Sequence, residues 1–233
     1  MRFLVIILGW LLSFGVTAFP EQFSATYTLT GKGMTLGEVN WSLVRSSGGI
    51  YQYNAITSPR GFASLFDNSH RSEYSKWRYA NGRIQPLLYR YNRGKNKDNK
   101  KVKVVFDWKR SIAQNTAKGK TWQMPIPLNT LDKTVYVLAL MRDLAKGHKN
   151  FEYTIADGGR IKTYRFSLIG EELLDTELGK AKTLKVLRTR KTTIRKTTFW
   201  CAPKFSYLPV KVAHREKDGT VLTLNISSLD GFE

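Results

Sequence analysis

The sequence predicts a mainly β fold: a curled antiparallel sheet of about a dozen strands, closed into a barrel or half-barrel, with one principal apolar helix packed against it. Three observations carry this. Apolar and polar residues alternate with period two through most of the chain, glycine-centred turn signals separate the alternating runs, and one segment departs from the pattern with an apolar run too long for a half-wet strand.

The chain opens with MRFLVIILGWLLSFGVTAFPEQF. Arg2 gives a short positive start, Phe3 to Val16 form an apolar run, and Val16-Thr17-Ala18 places small residues where a signal peptidase cuts. Residues 1–18 are therefore read as a secretory signal, and 19–233 as a single β-barrel-like domain. An uncleaved anchor is the competing reading, but the run is shorter than the roughly 20 residues of a spanning helix. The expected compartment is the bacterial periplasm.

Alternation begins with Phe23, Ala25, Tyr27 and Leu29 on one face. It recurs in Val39-Trp41-Leu43, Tyr51-Tyr53-Ala55, Val102-Val104-Phe106-Trp108, Tyr164-Phe166-Leu168 and Leu222-Leu224-Ile226. Strands of this kind have one buried face and one wet face. Ser-Gly-Gly at 47–49, Asn-Gly at 81–82, Asp-Gly-Gly at 157–159 and Asp-Gly at 218–219 supply hairpin turns. The helix is predicted in NTLDKTVYVLALMRDLAKG, with Asn129 or Thr130 as N-cap and Gly147 as the stop. Val135 to Met141 is apolar throughout, so this helix must be largely enclosed, against the concave face of the sheet or across its mouth.

Two further stretches stand out. Ser58 to Glu73 interrupts the strands with Pro59 and Gly61 yet carries Phe62, Leu65 and Phe66. It reads either as a short turn closing one barrel end or as a hydrophobic lid over a ligand cavity. Arg93 to Lys101 is a hairpin tip holding Arg93, Lys95, Lys97, Lys100 and Lys101 around Asp98. It is either a solvated turn or an electrostatic foot on an anionic surface.

The formal charge of +20 favours polyanionic surroundings. For an exported protein these are lipid headgroups or wall polymers and not nucleic acid, and peripheral membrane contact is the form this would take. Because Lys and Arg are spread along the chain, solubility alone is the plainer explanation of the charge.

No catalytic signature emerges. Cys201 is the single cysteine, set in TTFWCAPKFSYLPVKV between strand residues and a proline-bracketed turn, which suits a packed thiol better than a nucleophile. His70, His148 and His214 are scattered, and His214 alternates with Val210 and Val212 on a strand. Glu171-Glu172 and Asp175-Glu177 flank a turn, as surface acids do. No metal-ligand spacing, phosphate loop or hydrolase elbow is present, so no enzyme, metal or cofactor is expected. The many aromatic residues are read as strand formers filling the core.

Several segments together resemble the exported bacterial family called domain of unknown function 3108. They are Phe23-Ser-Ala-Thr-Tyr, Gly61-Phe-Ala-Ser-Leu-Phe, Thr130-Leu-Asp-Lys with Leu138-Ala-Leu-Met-Arg-Asp-Leu, Ala156-Asp-Gly-Gly, Asp175-Thr-Glu-Leu-Gly and Thr198-Phe-Trp-Cys-Ala-Pro with Tyr207-Leu-Pro-Val. The resemblance implies no activity and transfers no residue role. In shape it points to the curled-sheet lipid and lipoprotein carriers of the bacterial envelope, an analogy of fold that does not fix function.

The function expected from all this is a non-enzymatic binding or carrier protein for a hydrophobic, anionic envelope ligand such as a lipid. Phe62, Leu65 and Phe66 would gate its cavity, and Val135, Leu138 and Met141 would line the helix side. The alternative is a structural or interaction protein whose barrel is filled by side chains. A cavity of about 300 Å³ or more separates the two.

Overall fold

A computed structural model describes residues 20–61, 64, 70–94, 100–189 and 194–231. The segment read as a signal, the lid residues Phe62, Leu65 and Phe66, and the hairpin-tip residues Lys95 and Lys97 lie outside the described residues.

The alternating runs become fourteen strands. The first eight are β1 (Phe23–Gly31), β2 (Met34–Ser46), β3 (Ile50–Pro59), β4 (Arg71–Ala80), β5 (Arg83–Arg93), β6 (Lys100–Asp107), β7 (Ile112–Ala117) and β8 (Lys120–Pro125). Helix α1 (Tyr136–Ala145) follows. Then come β9 (Asn150–Asp157), β10 (Arg160–Thr176), β11 (Gly179–Thr189), β12 (Lys196–Ala202), β13 (Leu208–Arg215) and β14 (Val221–Asp230). All belong to one curled antiparallel sheet in the order β8-β7-β6-β5-β4-β3-β2-β1-β14-β13-β12-β11-β10-β9. Each half of the chain is a meander of sequential hairpins, and the halves join where β1 pairs with β14. The sequence-predicted fold class holds, with two strands more than the dozen expected.

Register fixes which side chains share the concave face. Tyr53 lies opposite Leu43 on one side and Ser75 on the other, and Ser75 lies opposite Tyr89, so one rung of inward positions crosses four strands. At this depth and below, the inward side chains pack with the helix: Tyr27, Tyr53, Trp77, Phe166 and Phe199 share one buried cluster with Leu138, Leu140, Met141 and Leu144. The rings meet at offset and edge-on angles, as between Tyr51 and Trp77 (centroids 4.3 Å apart) and between Tyr136 and Tyr164 (5.5 Å). Most of the aromatic residues are thus core, as read from their strand context, while Trp122 is exposed.

Helix α1 sits on the concave side at one end of the barrel. Arg142 Nη1 donates to the carbonyl of Gly82 in the β4–β5 turn, 3.0 Å away, and Tyr153 Oη donates to Asp143 at 2.9 Å. Gly147 ends the helix at φ 78°, its N–H bonded to the Leu144 carbonyl. The start differs from the sequence prediction. Neither Asn129 nor Thr130 caps the helix, because the Leu131 backbone is paired with β9: its N–H bonds to the Thr154 carbonyl, and its own carbonyl receives the Ala156 N–H, both at 2.8 Å. A residue held in a ladder cannot begin a helix. The turn is made instead by Asp132, whose Oδ1 accepts from the backbone N–H of Thr134 (2.8 Å) and of Val135 (3.0 Å).

The same pairing closes the sheet. Among the described residues no ladder joins the edge strands β8 and β9. The seam is spanned by the Leu131 bridge, by a bond from Trp122 Nε1 to the Gly159 carbonyl (3.2 Å), and by Ala156 packed among Tyr89, Val104, Met124 and Ile126.

Cys201 is fully buried between Leu184 and Pro209 on neighbouring strands, and burial pushes its thiol well above the usual range. The folded protein is therefore expected not to react with a thiol reagent such as Ellman's, with one thiol appearing only on unfolding. Rapid labelling of the native protein would show the thiol to be accessible and ionisable.

Candidate functional site

Alternate strands run in opposite directions, so the helix end carries one set of turns and the far end the other. The far end, or mouth, carries the turns after β1, β7, β9 and β13 and the C-terminal ends of β3, β5 and β11. Inward residues above the helix-packed layer have no helix to meet there. A groove of about 680 Å³ results.

Its walls follow from the register. Leu29, Val39 and Trp41 line one side, Val102 and Val104 another, and Val212, Leu222 and Leu224 a third. Rung by rung towards the mouth, Ser75 and Tyr89 give way to Glu73 and Tyr91, and these to Arg71 and Arg93. Lys100 lies opposite Arg93 on the next strand. The concave rim of β4, β5 and β6 is thus a row of three cations above an increasingly apolar wall.

The polar groups within the groove are held in place. Tyr89 Oη donates to Glu73 Oε2 at 2.7 Å. Lys133, just before the helix, places its ammonium 5.8 Å from the centre of the Tyr91 ring. Asp157 accepts from Lys162 (2.7 Å) and Tyr164 (3.1 Å). Burial pushes the Asp157 carboxyl up, but the Lys162 hydrogen bond, the charges of Lys133 and Lys162 and the Tyr164 hydroxyl together hold it below its ordinary value.

His214 faces the groove from β13. Its Nδ1 lies 2.8 Å from Thr197 Oγ1, and its Nε2 lies 3.5 Å from Glu216 Oε1. Arg188 also donates to Thr197 Oγ1, at 3.0 Å, and stacks over the Tyr164 ring. Thr197 has the neighbours of an activated hydroxyl, but it is buried and is not part of the groove lining. The arrangement clamps β11, β12 and β13 together near the mouth.

The structure places the sequence-predicted site residues unevenly. Val135, Leu138 and Met141 are fully buried in the core and line no groove wall. The helix is a plug at the other end of the barrel, so Val135, Leu138 and Met141 face packed side chains and not the groove. Arg93 and Lys100 lie on the concave rim. Lys101, one residue on, takes the opposite face and lines a shallow outer depression with Arg90 and Lys103. The strands that flank the proposed lid segment do end at the mouth, with Thr57 and Arg71 lining the groove.

Sequence reasoning missed Arg71, Glu73, Lys133 and Asp157. The first two were readable in principle, as inward positions in the alternation of RSEYSKW. Asp157 ends β9 at the Asp-Gly-Gly hairpin, which was read as a turn only, and Lys133 takes its place from the Leu131 bridge to β9, for which no local signal exists.

A family model described as "Protein of unknown function (DUF3108)" matches residues 22–226. No curated protein matches the chain. Among solved structures, the crystal structure of the beta-barrel-like protein of domain of unknown function DUF1849 from Brucella abortus aligns with a TM-score of 0.62 at 12% identity, covering 90% of this chain and 97% of that one. At that identity the likeness shows a shared fold and nothing finer. The complex structure of Pseudomonas aeruginosa MucA/MucB covers 90% of this chain and 93% of that one at 7% identity, but its TM-score of 0.19 carries no argument.

Proposed function

We propose a function from the groove itself, because the chain belongs to the DUF3108 family of proteins of unknown function: it is a binding or carrier protein for a hydrophobic ligand with an anionic end, working in the bacterial periplasm. The observation that carries this is the groove of about 680 Å³, its walls mostly apolar and the β4–β6 side of its rim bearing Arg71, Arg93 and Lys100. That volume falls within the range of about 300–1,000 Å³ typical of small-molecule sites. A barrel filled at normal packing density would leave no such space. The export signal read in residues 1–18 supports the compartment, and lipids are the commonest apolar ligands with anionic ends there.

A second reading rests on a different feature. Strand β9 pairs with β10 only over Arg160–Ser167, so β10 runs on to Thr176 with its outer edge unpaired among the described strands and with Ile169 and Leu173 half exposed. A bare edge of this kind suits an added strand from a protein partner.

Native mass spectrometry of the protein purified from the bacterial envelope tests the first reading. One bound apolar molecule per chain is expected, recoverable by organic extraction and lost in Leu224→Glu, which puts a charge in the middle of the groove wall. A clean unliganded mass, with no uptake of offered lipids, would leave the second reading in place.

A further inference from the structure

Building on that reading, we propose that the groove takes one acyl chain ending in a single anionic group, with the anion seated on the rim row of Arg71, Arg93 and Lys100.

Directly opposed like charges on neighbouring strands destabilise a sheet. Here three cations stand side by side on the concave rim, Arg71 opposite Arg93 and Arg93 opposite Lys100. Among the described residues no carboxylate forms an ion pair with Arg71, which is exposed at the groove's edge. Guanidinium groups hold carboxylate or phosphate through paired N–H donors, and Arg71, exposed at the groove's edge, presents such a fork.

An acid fixes the orientation. Glu73 lies one rung below Arg71 in the same strand, and Asp157 faces the groove from the far wall. Glu73 repels an anion that moves deeper along that wall. The charge of Asp157 is offset by Lys162 and Lys133, so it is Glu73 that favours entry of the tail first. Below the rim the tail meets Tyr91, Val102, Trp41 and Leu224.

The groove of about 680 Å³ lies within the range of single small-ligand sites and accommodates one acyl chain with its polar end. A free fatty acid and a one-chain phospholipid share this chemistry.

The test is titration of the full chain with four probes: palmitate, a palmitoyl lysophosphatidylglycerol, hexadecanol and dipalmitoylphosphatidylglycerol. Palmitate, the lysolipid or both are expected to bind at one per chain, and which of them binds identifies the anion as carboxylate or phosphate. Hexadecanol is expected to bind about tenfold more weakly, and Arg71→Gln to weaken the anionic probe about tenfold while leaving hexadecanol unchanged. Arg71 is exposed, so its variant keeps the fold, and a thermal melt checks this. Equal binding of the two-chain lipid, or an Arg71→Gln protein with unaltered palmitate and lysolipid binding, would overturn the proposal. Equal binding of hexadecanol would remove the anion seat while leaving the groove as a binding site. If none of the four binds, the groove reading fails and the proposal with it.

Discussion

Replacing Asp132 by alanine is expected to cost about 3–5 kcal/mol of unfolding free energy, while asparagine there costs less than about 1 kcal/mol. The carboxylate is fully buried and serves as the common acceptor of one corner of the core. Its Oδ1 takes the Thr134 hydroxyl as well as the two backbone N–H groups that open the helix, and its Oδ2 takes the Ser75 hydroxyl at 2.5 Å. Alanine leaves these donors buried without partners. Asparagine keeps the Oδ1 bonds, and the Ser75 hydroxyl can turn to accept from its amide. Urea unfolding of the three proteins measures the difference, and equal losses for alanine and asparagine would show that the charge, and not the acceptor, matters.

The same residue has a pH signature. Burial raises the Asp132 carboxyl above its ordinary value, against the pull of the Ser75, Val135 and Thr134 hydrogen bonds. A carboxyl raised in the folded state contributes stability below its unfolded pKa that is lost as pH rises through the folded one. Asp157, held low, contributes in the opposite direction and is common to both proteins. The stability difference between Asp132→Asn and the parent is therefore expected to shift in favour of asparagine as pH rises from acid to neutral.

Gly159→Ala is expected to open the seam between the two sheet edges. Gly159 has φ +71°, and a Cβ there would stand 2.0 Å from the Trp122 ring. Alanine must bear a left-handed backbone, at about 1 kcal/mol, and must also expel the indole that bonds to the carbonyl of residue 159. Hydrogen exchange should show β8 (Lys120–Pro125) losing protection while the β1–β14 ladder keeps it. Trp122→Ala removes the ring without the backbone strain and should give a smaller loss of the same kind. Unchanged protection of β8 in both variants would mean that the Leu131 bridge holds the seam unaided.

How much of this was legible in the sequence follows from the range of each interaction. The strands were legible because alternation is local: the face shared by Tyr51, Tyr53 and Ala55 is the same in the sequence as in the sheet. The helix was legible from Val135 to Met141, but its first turn was not, since what withholds Leu131 from it is a strand edge more than twenty residues further on. The groove was expected on the helix side and lies at the other end, because depth along a barrel depends on register between distant strands. The basic hairpin was half legible. Arg93 and Lys100 reach the concave rim, but their alignment with Arg71 arises only when β4, β5 and β6 pair.

The junction of β1 with β14 bears on how the molecule assembles. Every other ladder joins strands adjacent in the chain, whereas this one pairs Ser24 with Asp230, and the Tyr27 hydroxyl reaches a carbonyl 182 residues away at Pro209. Closing so long a loop is entropically demanding, so the two hairpin arms can form early and separately while the ladder that unites them forms late. Until then each arm carries a bare strand edge, β1 on one and β14 on the other, and each edge has its proper partner only in the other arm. For a chain synthesised from its N-terminus, the first arm must wait for the last strand before its edge is covered, and over that interval it is open to pairing with the wrong neighbour.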